Sequence, residues 1–228
     1  MIRYGVIACL AVGMAALASD PVAVVNGEPI LREELDRATG LAEIVFMLSQ
    51  QFPGFAQSLL LTDEGKAFVA RYERDVLEKL ILRRIQLQEA TRRGLAVDEG
   101  EVAQRTRGTL AQIYAHYGLT EAEFEERLLA QGYTLERYRE DIARDHRERL
   151  LLAALKASVV AEIAVSDEEI QAYYDEDPSR FVDEDGQPLA LDDVRDRIET
   201  LIRRDKGEAV WQAWLVQARQ GSTVEIKL

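Results

Sequence analysis

The residue types that most often carry nucleophilic or metal chemistry are scarce in this chain. It has one cysteine, Cys9, and two histidines, His116 and His146. Neither histidine has a second histidine at metal-ligand spacing. No Gly-x-Ser-x-Gly turn, glycine-rich phosphate loop or His-Glu-x-x-His helix occurs. We therefore predict no catalytic residue, no metal ligand and no cofactor, and we interpret both histidines as surface or packing residues.

The acidic stretch that begins at Asp183 suggests a calcium loop, but its spacing is wrong for an EF-hand. An EF-hand loop has glycine at its sixth position, an acidic ligand at its first and a bidentate glutamate at its twelfth. With Gly186 in the sixth position, Phe181 falls at the first and Asp192 at the twelfth. Most other acidic residues lie among arginines, which favours solvated helix faces over acid/base pairs.

The composition is typical of a soluble globular protein. Of 228 residues, 47% are hydrophobic, 30% are charged and 7% are aromatic. The net charge of −13 would repel a phosphate backbone, and no basic stripe with interleaved aromatic residues is present. We therefore expect no nucleic-acid partner. The length fits one or two domains and a core that needs no disulfide or metal.

The first 18 residues have the three parts of a secretory signal. Arg3 supplies a positive charge, Gly5–Leu17 is apolar, and Ala16-Leu17-Ala18 has the small residues that signal peptidase accepts. The apolar run is shorter than the ~20 residues needed to span a bilayer. We predict a cleaved signal peptide at 1–18, export to the periplasm or cell envelope, and no stable membrane span after cleavage. Lipidation of Cys9 and the true cleavage site stay open.

Strand patterns occur at both ends of the chain. Residues 22–30 form a β-branched run interrupted by Asn26-Gly27, which predicts a hairpin because both residues tolerate positive φ. Pro29 restricts the second arm to a short or edge strand. Residues 223–228 alternate polar and apolar side chains. Since an isolated hairpin is marginally stable in water, we predict that the two ends pair in one small antiparallel sheet.

Between these ends the sequence predicts helices. One long helix is expected from about 63 to 93, before Gly94, and the last from about 191 to 220. Gly207 is a point where the last helix could kink or break. Three further helix starts carry a capping-box pattern, and they are Asp98, Thr120 and Ser166. The predicted fold class is mainly α (α+β): several helices and a small antiparallel sheet formed by the N-terminal hairpin and the C-terminal strand.

The order of these segments resembles the SurA-like family of exported folding chaperones, which also includes the PrsA foldases. The similar segments are residues 22–36, 80–90, 165–174 and 214–226. The resemblance implies a multi-helix chaperone domain. The domain limits that we predict are a signal peptide at 1–18, a helical domain at 20–181 with the N-terminal hairpin, a linker at 182–188, and a C-terminal helix and strand at 189–228 that complete the same domain.

Members of that family usually carry a parvulin-type prolyl isomerase domain between the helix that starts at Ser166 and the last helix. Here about seven residues separate Phe181 from Leu189, whereas a small domain of that type needs roughly 90 residues. We therefore predict that the chain is not an enzyme, although its relatives are peptidyl-prolyl isomerases.

One segment, residues 44–61, is unusually apolar. It contains three of the six phenylalanines, and its apolar positions run almost all the way round a helix. The segment is therefore either packed in a core or a dimer contact, or exposed for adaptable apolar contact with other proteins. The candidate client-binding residues are Val45, Phe46, Met47, Phe52, Phe55, Leu59 and Leu60. A second aromatic group, for which we favour structural packing, is Tyr114, Tyr117, Tyr133 and Tyr138.

These features favour an ATP-independent holdase of the cell envelope, whose partners are unfolded or nascent exported proteins bound in an apolar groove. Two alternatives remain. One is a peptidyl-prolyl isomerase with a site unlike that of parvulins, and the other is a non-catalytic assembly subunit with one dedicated envelope partner. The sequence does not identify the clients, and it does not decide between a monomer and a homodimer.

Overall fold

The computed structural model describes residues 21–183 and 186–228. The predicted signal peptide and Cys9 lie outside the described residues. The strands are β1 (Pro21–Val25), β2 (Glu28–Leu31) and β3 (Val224–Ile226). The helices are α1 (Arg32–Thr39), α2 (Leu41–Gln51), α3 (Pro53–Leu61), α4 (Asp63–Arg92), α5 (Glu99–Tyr117), α6 (Glu121–Ala130), α7 (Leu135–Val160), α8 (Asp167–Glu176) and α9 (Leu191–Gln220).

The predicted fold class is confirmed, including the pairing of the two chain ends. The sheet has the order β2-β1-β3, and both pairings are antiparallel. Val24 is aligned with Pro29 on β2 and with Glu225 on β3. The hairpin forms because Asn26 and Gly27 adopt φ values of 50° and 88°, as a two-residue turn between strands requires.

The chain divides into two compact units. The first consists of the described residues up to Ile81 together with Thr223–Leu228, and the second is Leu82–Ser222. Helix α4 contributes residues to both. The domain limits expected from the sequence, 20–181 and 189–228, stay a prediction.

In the first unit, the buried apolar side chains come from the sheet, α1 and α4; they include Ala23, Val25, Ile30, Leu35, Leu77 and Ile81. Two polar contacts hold α4 to the segment that follows the hairpin. The Tyr72 hydroxyl donates to the carbonyl oxygen of Thr39 at 3.0 Å, and Arg32 pairs with Glu73 at 3.2 Å.

Among its described residues, the second unit contains three apolar clusters. One joins the end of α4 to α7 and α9 through Ala90, Leu155 and Trp211. A second joins α5, α6 and α7 around Phe124, Leu128 and Leu135. The third holds α8 and α9 together, and its buried members are Ile170, Phe181, Val194, Ile198 and Ile202.

Most helix ends lie where the sequence predicts them. The structure differs from the predictions in the cap at Asp98 and in the course of α9 at Gly207. The capping boxes at Thr120 and Ser166 form in full. At Asp98 the side chain accepts from Gly100 N–H, whereas the acid three positions on, Glu101, pairs with Arg105. Helix α9 is also continuous through Gly207. A β-carbon there would make only ordinary contacts, at 3.8 Å from Ile163 and 3.9 Å from Val160, and the glycine does not break the helix.

Candidate functional site

Two short helices, α2 and α3, carry the apolar segment, and backbone chemistry fixes where each begins. Gly40 has a φ of 59°, which ends α1 and lets the chain turn into α2. Phe52 follows the last residue of α2, and its N–H donates to the carbonyl oxygen of Leu48 at 2.7 Å. Pro53 then occupies the first position of α3, where its missing N–H costs nothing. A single apolar run is thereby folded into two helices that pack against each other.

Only a narrow face of this helix pair is covered. In α2 no residue is fully buried, and the half-buried apolar side chains are Leu41, Val45 and Leu48, which are three to four positions apart. In α3 only Ala56 is buried, and Leu59, three positions later, is half-buried. Such spacing places each set on one side of its helix, so the remaining apolar side chains project elsewhere.

Three phenylalanines on this pair are mostly exposed to solvent. The exposed fractions are 68% for Phe46, 60% for Phe52 and 60% for Phe55. Other large exposed apolar residues of the same segment are Ile44, Met47, Leu60 and Leu61. We call these seven residues the α2–α3 apolar surface. Clusters of exposed large apolar side chains are uncommon on soluble proteins and mark sites that contact other molecules.

This surface is almost without charge, in a chain where 30% of the residues are charged. Between Leu41 and Thr62 the only charged residue is Glu43. The site therefore offers apolar burial and aromatic contact, with little electrostatic selectivity.

Five of the seven candidate residues lie on the α2–α3 apolar surface, namely Phe46, Met47, Phe52, Phe55 and Leu60. The other two, Val45 and Leu59, are on the half-buried face. Binding by any of these residues stays a prediction. Ile44 and Leu61, the first and last residues of the predicted segment, are also exposed, although they are not among the seven named candidates.

Phe68 in α4 is another exposed aromatic residue that sequence reasoning did not identify. It precedes Tyr72 and Val76 by four and eight positions, a spacing that predicts a core position. Hydrophobic periodicity therefore could not have found it.

The two histidines belong to the second unit. His146 in α7 is 2.8 Å from the Thr109 hydroxyl in α5, and His116 lies edge-on to Tyr117. Within the residues that the structure describes, no three His, Cys, Asp or Glu side chains form a group that could hold a metal.

Three of the four tyrosines in the second aromatic group are packing residues. Tyr114 and Tyr138 each lie with ring centroids 5.4 Å from Phe124, and Tyr133 is 6.3 Å from Tyr138. Burial, together with the nearby Glu121 carboxylate, raises the pKa of Tyr114. Tyr117 differs, because it is exposed.

None of the described helices combines the length and the apolar character needed to cross a membrane. A family model described as the SurA-like N-terminal domain matches residues 2–152. The chain belongs to the SurA-like N-terminal domain family. The match includes the hairpin, the α2–α3 apolar surface and most of α7.

Known proteins similar to this SurA-like chain include foldases. It is 26% identical over 168 residues to the foldase protein PrsA of Clostridium botulinum strain Langeland, covering 74% of this chain and 48% of the relative. It is 25% identical over 170 residues to the PrsA of Clostridium kluyveri, covering 74% and 49%. The SurA-like chain thus spans about half the length of the curated relatives it matches.

Among solved structures, the SurA-like chain matches one described as one of two structurally related SurA-like chaperones of Campylobacter jejuni. The TM-score is 0.49 at 12% sequence identity, and the match covers 92% of this chain and 99% of the other.

Proposed function

We propose that this SurA-like chain is a chaperone of the periplasm or cell envelope. It binds unfolded or partly folded exported proteins through the α2–α3 apolar surface and uses no ATP. The name of its PrsA foldase relatives supports a folding role, and family membership supports it further.

The exposure of Phe46, Phe52 and Phe55 is the observation that carries the proposal. Full burial of one phenylalanine contributes about 1.5–3 kcal/mol, whereas association costs about 4 kcal/mol or more. Several simultaneous contacts are therefore needed to hold a client, and the net affinity is weak. Weak binding allows release without an energy source.

The candidate residues have two proposed roles. Phe46, Met47, Phe52, Phe55 and Leu60 contact the client, since they are exposed. Val45 and Leu59 hold the helix pair in place, since they lie on its half-buried face. The nearly uncharged surface accepts many sequences because its apolar contacts are not directional.

We further propose that this chain works without a prolyl isomerase site. The segment in which relatives were expected to carry a parvulin domain is short here, and its ends are joined by an antiparallel bridge between Val182 and Pro188. A protease-coupled assay with a proline peptide tests this proposal: catalysis above the buffer rate would contradict it.

Suppression of aggregation tests the binding site. The protein is titrated into a reduced, aggregating client while light scattering is recorded. The variant Phe46→Ser/Phe52→Ser/Phe55→Ser should suppress aggregation much less than the unsubstituted protein, with the same helical circular dichroism. A matched control is Leu129→Ser/Val216→Ser, since both residues are 56% exposed but lie in the second unit.

If the control variant lost as much suppression of aggregation as the triple variant, any exposed apolar residue would be able to bind the client. The assignment of binding to the α2–α3 apolar surface would then be wrong. Collapse of the helical signal in the triple variant would show that the three phenylalanines support the fold. Capture from an envelope extract distinguishes a general chaperone, which retains many clients, from an assembly subunit, which retains one partner in stoichiometric amount.

A further inference from the structure

Among the described residues, strand β3 forms one edge of the sheet, because the strand order is β2-β1-β3. Its residues are accessible: Ile226 is 51% exposed, Glu225 is exposed and Val224 is half-buried. The edge of a sheet presents backbone N–H and C=O groups that another extended chain can bind.

The hydrogen bonds to β1 determine which backbone groups of β3 point outward. Asn26 N–H donates to the carbonyl oxygen of Thr223, and Lys227 N–H donates to that of Val22, each at 2.8 Å. In an antiparallel pair, bonded positions alternate with non-bonded ones. Glu225 therefore bonds toward β1, whereas the N–H and C=O groups of Val224 and Ile226 point away from it.

The opposite edge lacks one of the donors that such a contact uses. Pro29 on β2 is aligned with Val24, which is in turn aligned with the inward-bonding Glu225. The nitrogen of Pro29 consequently faces the outer edge of β2, where it has no hydrogen to donate. Proline at such a position is one of the ways in which proteins protect a sheet edge. Strand β3 has no proline.

The side chains of β3 also favour one type of partner strand. Val224 is aligned with Val25, and Ile226 with Ala23, and both β1 residues are fully buried. Because aligned residues in neighbouring strands lie on the same face, Val224 and Ile226 continue the core face of the sheet outward. An added strand with apolar residues at alternate positions would cover Ile226 on that face and leave polar residues on the other.

We infer that the outer edge of β3 binds an extended segment of an unfolded polypeptide as a fourth strand, with apolar residues at every second position. The occupant is an extended chain because only an extended backbone places donors and acceptors at the spacing of Val224 and Ile226. The inference rests on the proposed chaperone function for its biological client, but it uses different residues and a different chemistry.

This edge would complement the α2–α3 apolar surface. Backbone pairing is indifferent to most of the client sequence, whereas the alternating apolar pattern selects segments that are to become half-buried strands. Because β3 is only three residues long, few hydrogen bonds form and the client dissociates readily.

Hydrogen exchange with a defined peptide tests the inference. The probe is a labelled peptide of alternating valine and threonine with a lysine at each end. At a peptide concentration tenfold above the dissociation constant, exchange of the Val224 and Ile226 amide hydrogens should slow about tenfold. The same peptide methylated on two successive central amides blocks both of its edges and should give no protection.

Two variants at one position separate the backbone from the side chain. Ile226→Pro removes the outward N–H and should weaken peptide binding about fivefold, while Ile226→Thr keeps the N–H and should bind nearly as the unsubstituted protein does. Protection of the Lys227 amide in both variants would show that the β1–β3 pairing is intact.

Three results would overturn the inference: equal binding of the methylated peptide, unchanged exchange at Val224 and Ile226, or a concentration-dependent dimer that Ile226→Pro abolishes. The last result would identify a second copy of the chain as the occupant. The Phe46→Ser/Phe52→Ser/Phe55→Ser variant should keep peptide protection at β3, so failure of the α2–α3 surface as a client site is distinguishable from failure of the β3 edge.

Discussion

The side-chain oxygen of Asn26 accepts a hydrogen bond from the main-chain N–H of Thr223 at 2.8 Å, and the main-chain N–H of Asn26 donates to the carbonyl oxygen of Thr223, also at 2.8 Å. One asparagine in the first hairpin turn thus fixes the start of the last strand, 197 positions away. The same residue has a positive φ of 50°, which asparagine tolerates better than most other residues.

Replacement of Asn26 should therefore weaken both the β1–β2 turn and the pairing of β1 with β3. We expect Asn26→Ala to lower the free energy of unfolding by about 1–2 kcal/mol, from the lost hydrogen bond and the less favourable positive φ. Asn26→Asp keeps an acceptor oxygen and should cost clearly less. Urea unfolding followed by circular dichroism measures both, and equal losses in the two variants would refute the role of the side-chain oxygen.

Gly65, near the start of α4, lies where a β-carbon would collide with the carbonyl oxygens of Ser58 and Leu59. Both clashing atoms are backbone atoms at the end of α3, so the chain must shift to relieve the contact. We expect Gly65→Ala to destabilise the protein by about 1–3 kcal/mol.

A matched control for that substitution is Gly108→Ala in α5. A β-carbon at Gly108 meets nothing within 4 Å, so this change should stabilise the protein by up to about 1 kcal/mol. Thermal unfolding of the two variants side by side gives the comparison. A shift of the same sign in both would contradict the close approach at Gly65.

Phe181 should be essential for the cluster between α8 and α9. It is almost fully buried, and its ring stacks on Tyr174 with centroids 6.1 Å apart. We expect Phe181→Ala to cost about 3–5 kcal/mol and to make the chain around residue 180 sensitive to protease. Val182→Ala, at the neighbouring exposed position, should change stability by less than about 0.5 kcal/mol. Unchanged protease resistance in Phe181→Ala would contradict this packing.

The ion pairs of Glu89 with Arg92 and Arg93 should stabilise the fold at neutral pH and lose this effect in acid. Hydrogen bonds from Arg92 and then Arg93 hold the pKa of its carboxyl at about 2, against the opposing effect of burial. Because the folded-state pKa is below the ordinary value of 4.5, the stabilisation is present above that value and is lost as the pH falls toward 2. We expect about 1 kcal/mol at neutral pH, since water screens the exposed Arg92.

The measurement for Glu89 is urea unfolding of Glu89→Gln and the unsubstituted protein at pH 7, 4 and 3. The difference between them should be largest at pH 7 and shrink at the acidic end. Glu101→Gln is a control, because Glu101 pairs with a single arginine, Arg105, at 2.8 Å and is more exposed. A difference that grows on acidification would contradict the assignment.

The sequence predicted the fold well where the signals are local. The long helix was expected from about 63 to 93 and runs from Asp63 to Arg92, because a Gly94 with positive φ follows it. The sheet was predicted from the turn at Asn26-Gly27 and the alternation at 223–228. The first signal is a backbone preference of two adjacent residues, and the second is an alternation of polar and apolar side chains over six residues.

The exposure of the α2–α3 segment could not be predicted in the same way. Periodicity identifies a buried face only where one apolar stripe is present, whereas residues 44–61 are apolar nearly all round. Whether another element covers Phe46 depends on packing far along the chain. For the same reason the burial of Phe181 was not foreseen: it depends on the return of the chain at Leu189, whose N–H donates to the Phe181 carbonyl oxygen at 2.8 Å.

The near absence of charge between Leu41 and Thr62 has a thermal consequence. Apolar attraction in water weakens on cooling and strengthens on warming through the physiological range, while ion pairs are governed mainly by salt. We therefore expect the proposed client contacts of the α2–α3 apolar surface to strengthen on mild warming, when exported proteins begin to lose their structure, and to weaken on cooling.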